Sequence, residues 1–278
     1  MYQSSQRSVG GLTTCRGWRS DNPHDGVDNS LCPSISPTRV VPTPSELVPM
    51  SSDDPFDAVA ESYDDAVSHA NRISGRSHSF FVAEKARILS SVAARMRGPQ
   101  SSFADIGCGT GSLHPLMAER GWTVTGVDPS PASIEVARRD NPEGEYFCAG
   151  AEHVPLSDAT YDLTAAICVF HHVVPLSRSL VAAEMVRVTR PGGVVAVIEH
   201  HPGHPYTRHS VAHCPFDDDA LLLRRSDSEG LLHNAGAHNV SSRFVSWTPI
   251  AHGFNAAIER VAGWLPFGTQ YVTFGFVG

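Results

Sequence analysis

The chain has 278 residues, 41% hydrophobic and 18% charged, which is enough apolar material for one full core. Its formal charge of −8 supplies no basic field for holding nucleic acid, and no apolar run approaches the ~20 residues of a membrane span. Six cysteines (Cys15, Cys32, Cys108, Cys148, Cys168, Cys214) form no CxxC pair and read as small buried residues of a reducing compartment.

Residues 1–52 are rich in Ser, Thr, Pro and Gly, and their apolar residues are isolated, so the segment cannot offset its own ordering entropy. It is expected to be a disordered or mis-annotated extension, with Met50 as a plausible initiator. Order is expected from Phe56, first through Tyr63-Asp64 and then in a helix through Lys85 and Ile88. Next, Ser102-Phe103-Ala104 leads into Asp105-Ile106-Gly107-Cys108-Gly109-Thr110-Gly111 and onto Leu113, Leu116 and Met117 at helical spacing. That is a strand, a glycine turn and a helix, with backbone N–H groups facing a nucleotide-like ligand. A dinucleotide fingerprint needs a third glycine three positions after the second, where this chain has Ser112 or His114. No lysine follows the glycines, so a P-loop fails too. A carboxylate two places before the glycines suits a ligand bearing an ammonium group, such as S-adenosylmethionine (SAM).

Asp128 closes the apolar run Val124–Val127, where a carboxylate at a strand tip can accept from ribose hydroxyls. Ser130-Pro131 reads as an N-cap and first helical residue, and that helix stops before Pro142. The preceding helix ends at Arg120-Gly121. Gly150-Ala151-Glu152 follows, then a strand from Tyr161-Asp162-Leu163 into Phe170-His171-His172. Arg190-Pro191-Gly192-Gly193 introduces the strand Val194–Ile198. Ser226-Asp227-Ser228-Glu229 has the form of a capping box opening a helix to Gly236. Strands are expected near Val240–Trp247 and over Gln270–Phe276. Between them, Ile258, Val261, Ala262, Trp264 and Leu265 form a stripe whose simplest reading is an amphipathic helix on the core.

This order of motifs resembles the class I SAM-dependent methyltransferases of the small-molecule, methyltransferase type 11-like kind, over about residues 55–278 and most specifically in its first half. The resemblance implies an α/β Rossmann-like fold, a seven-stranded mostly parallel sheet with an antiparallel last strand and helices on both faces. It divides residues 53–278 into N-terminal lid helices (53–100), a cofactor-binding core (101–200), and substrate-side segments with the last strands (201–278). It assigns SAM contacts to Tyr63, Asp105, Gly107, Gly109, Gly111, Asp128, Pro129, Ala151, Glu152 and Phe170. Relatives often carry an Asp where this chain has Gly150, which shifts adenine recognition to backbone near Ala151 and to Glu152.

A hydroxyl acceptor needs a base, and histidine is poised for that near neutral pH. His171 and His172 follow the fourth strand, His200 and His201 the fifth; His172 and His200 are the preferred candidates. His209 and His213 lie four apart, but Pro202 and Pro205 interrupt the segment and no fixed ligand set emerges, so no metal is expected. The stretch through Cys214-Pro215-Phe216-Asp217 resembles a bacterial subgroup in which it lies over the substrate, and Arg208 there is a candidate for binding an acidic group. The fourth-strand end lacks the Asn/Asp-Pro-Pro-aromatic motif of amide-nitrogen enzymes and the Pro-Cys of cytosine-C5 enzymes. The resemblance and the missing motifs therefore point to a bacterial enzyme, monomer or homodimer, that methylates O or C of a small molecule, natural-product or lipid-like in kind; cysteine usage and the lack of a membrane span make the cytoplasm its default setting. A SAM-binding protein without transfer and a nicotinamide-dependent oxidoreductase are the alternatives.

Overall fold

The computed structural model describes residues 56–58, 60–70, 75–96, 101–214, 217, 219–246 and 252–278. The chain divides into two units, Met1–Val40 and Val41–Gly278, and every described residue lies in the second. The expectations about residues 1–52, Met50, Pro215-Phe216 and Trp247 fall outside the described residues.

Seven strands form one sheet: β1 (Ser102–Ile106), β2 (Thr123–Asp128), β3 (Glu145–Cys148), β4 (Tyr161–Ile167), β5 (Thr189–His200), β6 (His238–Val245) and β7 (Gln270–Phe276). Their order is β3-β2-β1-β4-β5-β7-β6, with β7 antiparallel to both of its neighbours. The period-two pattern explains why both faces are covered. Along β5, Val194, Ala196 and Ile198 enter one core with Phe103, Leu163, Val272 and Phe274. Val195 and Val197 enter the other with Ala104, Ile106 and Val127. A strand apolar on both sides is stable only between two helical layers. Helix α2 (His78–Ala93) covers the first face through Ile88, Leu89 and Val92. Helix α5 (Arg178–Val188) covers the second through Val181, Met185 and Val188. Each such fully buried aliphatic side chain contributes about 1.5–3 kcal/mol.

The remaining helices are α1 (Tyr63–Ala70), preceded by a 3-10 turn at Ala60–Ser62, α3 (His114–Ala118), α4 (Pro131–Asp140), α6 (Pro205–Val211), α7 (Arg225–Asn234) and α8 (His252–Ala262). The expected cap of α4 is present: Ser130 Oγ accepts from the Ser133 N–H at 3.0 Å, with Pro131 in the first turn. Gly121 ends the turns after α3 with φ +85°, a conformation that glycine adopts without strain.

Three local expectations need correction. Helix α7 starts at Arg225, and its N-cap position, Arg224, makes no side-chain cap bond. The predicted box residues are drawn elsewhere: Ser226 Oγ bonds Asp227, and Glu229 accepts from Ser242 on β6 and pairs with Arg225. Pro205 does not break a helix but begins α6, where its missing N–H costs nothing. Helix α8 forms, but its apolar stripe is only partly covered: Val261 (75%) and Trp264 just past the helix end (71%) are exposed, while Ile258, Ala262 and Leu265 are half-buried. Its inward residues are Asn255 and Glu259. Glu259 accepts from Arg87 at 2.8 Å and Asn255 donates to Glu84 at 3.2 Å. A buried charge costs more to leave unpaired than an apolar stripe costs to expose, so the polar face turns in.

Candidate active site at the carboxyl ends of the strands

The strand order reverses between β1 and β4, and ligands of open α/β sheets bind at such a reversal, outside the carboxyl ends of the strands. A cavity of about 490 Å³ lies there, lined by the loop after β1, the tips of β2, β4 and β5, and residues of α1, α2 and α6.

On one side the loop makes a cradle. Gly107 and Cys108 donate to the Val127 carbonyl at 2.7 and 3.1 Å, which ties the turn to β2. A Cβ at Gly107 (φ +76°) meets Val169 Cγ2 at 2.5 Å, so only glycine fits. A Cβ at Gly109 meets nothing within 4 Å, leaving open space over the loop. Asp105 is buried; its Oδ2 lies 3.1 Å from His114 Nε2, whose Nδ1 lies 2.7 Å from the Tyr146 hydroxyl. The other oxygen, Oδ1, is buried with no hydrogen-bond partner among the described residues. A buried carboxylate oxygen left over in this way is a ready acceptor for a cationic ligand group. Asp128 accepts from the Gly109 N–H (2.8 Å, Oδ2) and the Ser130 N–H (2.9 Å, Oδ1). Those bonds orient the carboxylate at the strand tip, where ribose hydroxyls can donate to it. Pro129, Ala151 and Glu152 continue the same wall.

The donor set therefore fits SAM: an orphaned carboxylate oxygen for its ammonium group, a second carboxylate for the ribose, and a glycine turn open above.

The other side carries titratable and aromatic groups. Tyr63, the first residue of α1, lines the cavity edge-on to His78 (centroids 5.6 Å apart), and burial pushes its hydroxyl pKa well up. His171 is buried, with Nδ1 2.7 Å from Glu199 Oε2 and Nε2 3.8 Å from Asp217 Oδ1. Burial opposes its charge, but the Glu199 charge and the bonds to Asp217 and Glu199 prevail, raising it to about 10. Conversely, burial raises Glu199, yet the His171 charge and hydrogen bond hold it at about 2. His172 Nε2 lies 3.3 Å from Asp217 Oδ1. His200 lines the cavity, its ring 5.1 Å from His171. Cys168, at φ +60°, accepts from Gln270 Nε2 at 3.3 Å. Burial raises its thiol, but Lys85 and His200 bring it down to about 7.

Four of the residues singled out from the sequence are not where expected. Phe170 does not line the cavity: its side chain is in the second core, and its N–H donates to Glu199 Oε1 at 2.7 Å. Gly111 shapes the turn from behind, against His114 and Asn141, and does not reach the cavity. His201 points away, its Nδ1 3.0 Å from the Gly268 carbonyl and its ring against Phe244. Arg208 is on the exposed side of α6, and Lys85 is the Lys or Arg that lines the cavity among the described residues. Lys85, Glu199, Gln270 and the His114–Tyr146 support of Asp105 were not singled out. Only Lys85, the lone lysine of the chain, carried a sequence signal.

Residues 104–197 match the family described as "Methyltransferase domain". The chain is 39% identical over 97 residues to a malonyl-[acyl-carrier protein] O-methyltransferase from Serratia marcescens, covering 35% of this chain and 37% of that protein. It is 28% identical over 151 residues to a ubiquinone/menaquinone biosynthesis C-methyltransferase from Campylobacter jejuni, covering 52% of this chain and 61% of that one. The chain thus spans between about a third and two thirds of the length of these relatives. In fold it is similar to a SAM-dependent methyltransferase from Thermotoga maritima described as a possible histamine N-methyltransferase, with a TM-score of 0.60 at 17% identity over 80% of this chain and 98% of that one. It is also similar in fold to a Streptomyces coelicolor geranyl diphosphate C-methyltransferase solved with Mg2+, geranyl diphosphate and S-adenosylhomocysteine, with a TM-score of 0.51 at 16% identity over 70% of this chain and 79% of that one. Cradle, strand order and matched segment agree: residues 104–197 carry a methyltransferase domain, set in a Rossmann-like sheet whose loop and strand tips fit SAM as the methyl-donor cofactor.

Proposed function

We propose that the protein transfers the methyl group of SAM to oxygen or carbon of a small-molecule acceptor. The observation that carries this reading is that one cavity joins the Asp105–Asp128 cradle to the histidine-bearing ends of β4 and β5. SAM, when bound, supplies a methyl group already activated on its sulfonium. The protein's part is to align the acceptor behind that methyl and to keep water away. Asp105 and Asp128 hold the donor, and Tyr63, Phe81, Val82 and Tyr206 give the acceptor side an aromatic and apolar wall.

Among the four candidate bases, His200 suits the role best. His171 is committed to Glu199 and Asp217, His201 faces the Gly268 carbonyl, and His172 leans on Asp217. His200 places its ring on the cavity wall, bonded to the Cys168 side chain, on the side where an acceptor hydroxyl would lie. Lys85 offers a charge partner for an anionic group of the ligand. Residues from α1 and α2 at the mouth suit a lid that opens for product release. The cysteine usage and the bacterial relatives support a bacterial cytoplasmic setting; among the described residues no helix is long and apolar enough to cross a membrane.

The test is a metabolite screen with methyl-labelled SAM and the full chain. Label should appear in a small molecule, at a rate that His200→Ala reduces. SAM binding without label transfer to any acceptor class would favour a SAM-binding protein that does not methylate.

A further inference from the structure

We propose that His171, His172 and Asp217 form a binding site for one divalent transition cation, such as zinc, whose open positions face the acceptor side of the cavity. Each of the three offers a ligand atom, these atoms lie within 4.8 Å of one another, and all three residues line the cavity. The distances divide into two kinds. The outer bond, His171 Nδ1 to Glu199 Oε2, is tight at 2.7 Å. The inner separations are slack: 3.3 Å from His172 Nε2 and 3.8 Å from His171 Nε2 to the same Asp217 oxygen. Charge-assisted bonds close to about 2.7–2.9 Å where nothing else is needed between the groups. Ligand atoms around a tetrahedral cation stand ~3.3 Å apart, given metal–nitrogen and metal–oxygen bonds of ~2.0–2.2 Å. The His172–Asp217 separation already meets that spacing, and the other two edges need a small inward turn of the side chains.

The surroundings are those of a metal site. A carboxylate behind a ligating imidazole fixes its tautomer: with Nδ1–H donated to Glu199, loss of the other ring proton to the incoming cation leaves the His171 lone pair on Nε2, toward Asp217. The backbone holds the third ligand in place, because the Leu221 N–H donates to the His171 carbonyl at 2.8 Å and Asp217 N–H to Cys214 at 3.1 Å. Two buried carboxylates, Glu199 and Asp217, share this pocket with imidazoles, and a divalent cation balances their charge while displacing the proton between His171 and Asp217. Two imidazoles and one carboxylate favour zinc, cobalt or ferrous iron over magnesium or calcium, and leave positions open for an acceptor oxygen. That last role rests on the proposed methyl transfer; the cation site itself stands on geometry. It would make His172 a ligand and leave His200 as the base.

The experiment uses the full chain, stripped with a chelator, dialysed and titrated with Co2+ by visible absorption and with Zn2+ by calorimetry. SAM binding is measured on every variant as a check of folding and of the cofactor site. One equivalent is expected to bind, with His172→Ala and Asp217→Asn each weakening it at least tenfold while SAM affinity stays within twofold. Substituting His209 and His213, a ring pair 4.1 Å apart with His209 and His213 both exposed, should leave cation binding unchanged. The proposal is overturned if no equivalent binds, if Asp217→Asn and His172→Ala bind as tightly as the wild type, or if only the His209/His213 variant loses the ion. Loss of SAM binding in the wild type would instead count against the cofactor reading.

Discussion

Asp105→Asn probes the cradle with almost no change in volume. In the free protein the carboxylate is 3% exposed, one oxygen near His114 and the other without a partner among the described residues. The amide keeps the shape and can still bond His114 in one of its tautomers, so thermal stability should move by less than about 1 kcal/mol. What it loses is a charge-assisted bond to the SAM ammonium, worth about 1.5–3 kcal/mol. At 1.4 kcal/mol per decade, SAM affinity should fall about 10- to 150-fold by calorimetry. S-adenosylhomocysteine, which keeps the ammonium group, should fall equally. Methylthioadenosine, which lacks the aminobutyrate arm, should bind wild type and variant alike. SAM affinity within threefold of wild type would refute the ammonium assignment, as would an equal loss for methylthioadenosine.

Other substitutions test separate parts of the account. Gly107→Ala places a methyl 2.5 Å from Val169 Cγ2 at φ +76°, and should lower stability by about 1–3 kcal/mol in denaturant unfolding. His200→Ala should cut kcat by about 10²- to 10⁴-fold with SAM affinity unchanged; an unchanged kcat removes it as the base. Asp162 is held at about 2: burial raises it, but the N–H groups of Ser101 and Ser102, the Ser102 hydroxyl and Arg190 outweigh that. Because the folded value is depressed, its contribution is present above the ordinary carboxylate range and is lost as pH falls through about 2. Allowing for the partly exposed Arg190, wild type should lose about 1–2 kcal/mol more than Asp162→Asn between pH 5 and pH 2, and parallel curves would contradict the assignment. Just past α8, Trp264→Ala should be neutral within about 0.5 kcal/mol, whereas Glu259→Ala should destabilise by about 1–3 kcal/mol because it removes one of the two carboxylates on Arg87 and the acceptor of the buried Ser246 N–H.

Much of this molecule is legible locally. The turn from Asp105 to Gly111, the Asp128 tip and the Ser130 cap are settled by residues a few positions apart, and the period-two runs Val194–Ile198 and Phe103–Ile106 declare strands covered on both faces. What was not legible depends on long-range partners. Helix α8 looks apolar toward the core until Arg87, 172 residues before Glu259, is seen to claim that residue. Phe170 reads as a cavity aromatic because it adjoins His171, yet it lies in the turn after β4, past Cys168 at φ +60°, and its own side chain enters the core. The pairing of His171 with Glu199, and its approach to Asp217, joins three separate segments that no spacing rule connects. Likewise the His114–Tyr146 pair behind Asp105 needs β3 to lie beside β2.

The most direct measurement is a pair of calorimetric titrations of the full chain, one with SAM and one with NAD+. The fold and cradle predict one equivalent of SAM bound and no heat from NAD+. Binding of NAD+ with no binding of SAM would contradict the assignment of Asp105, Gly107–Gly109 and Asp128 on which the rest depends.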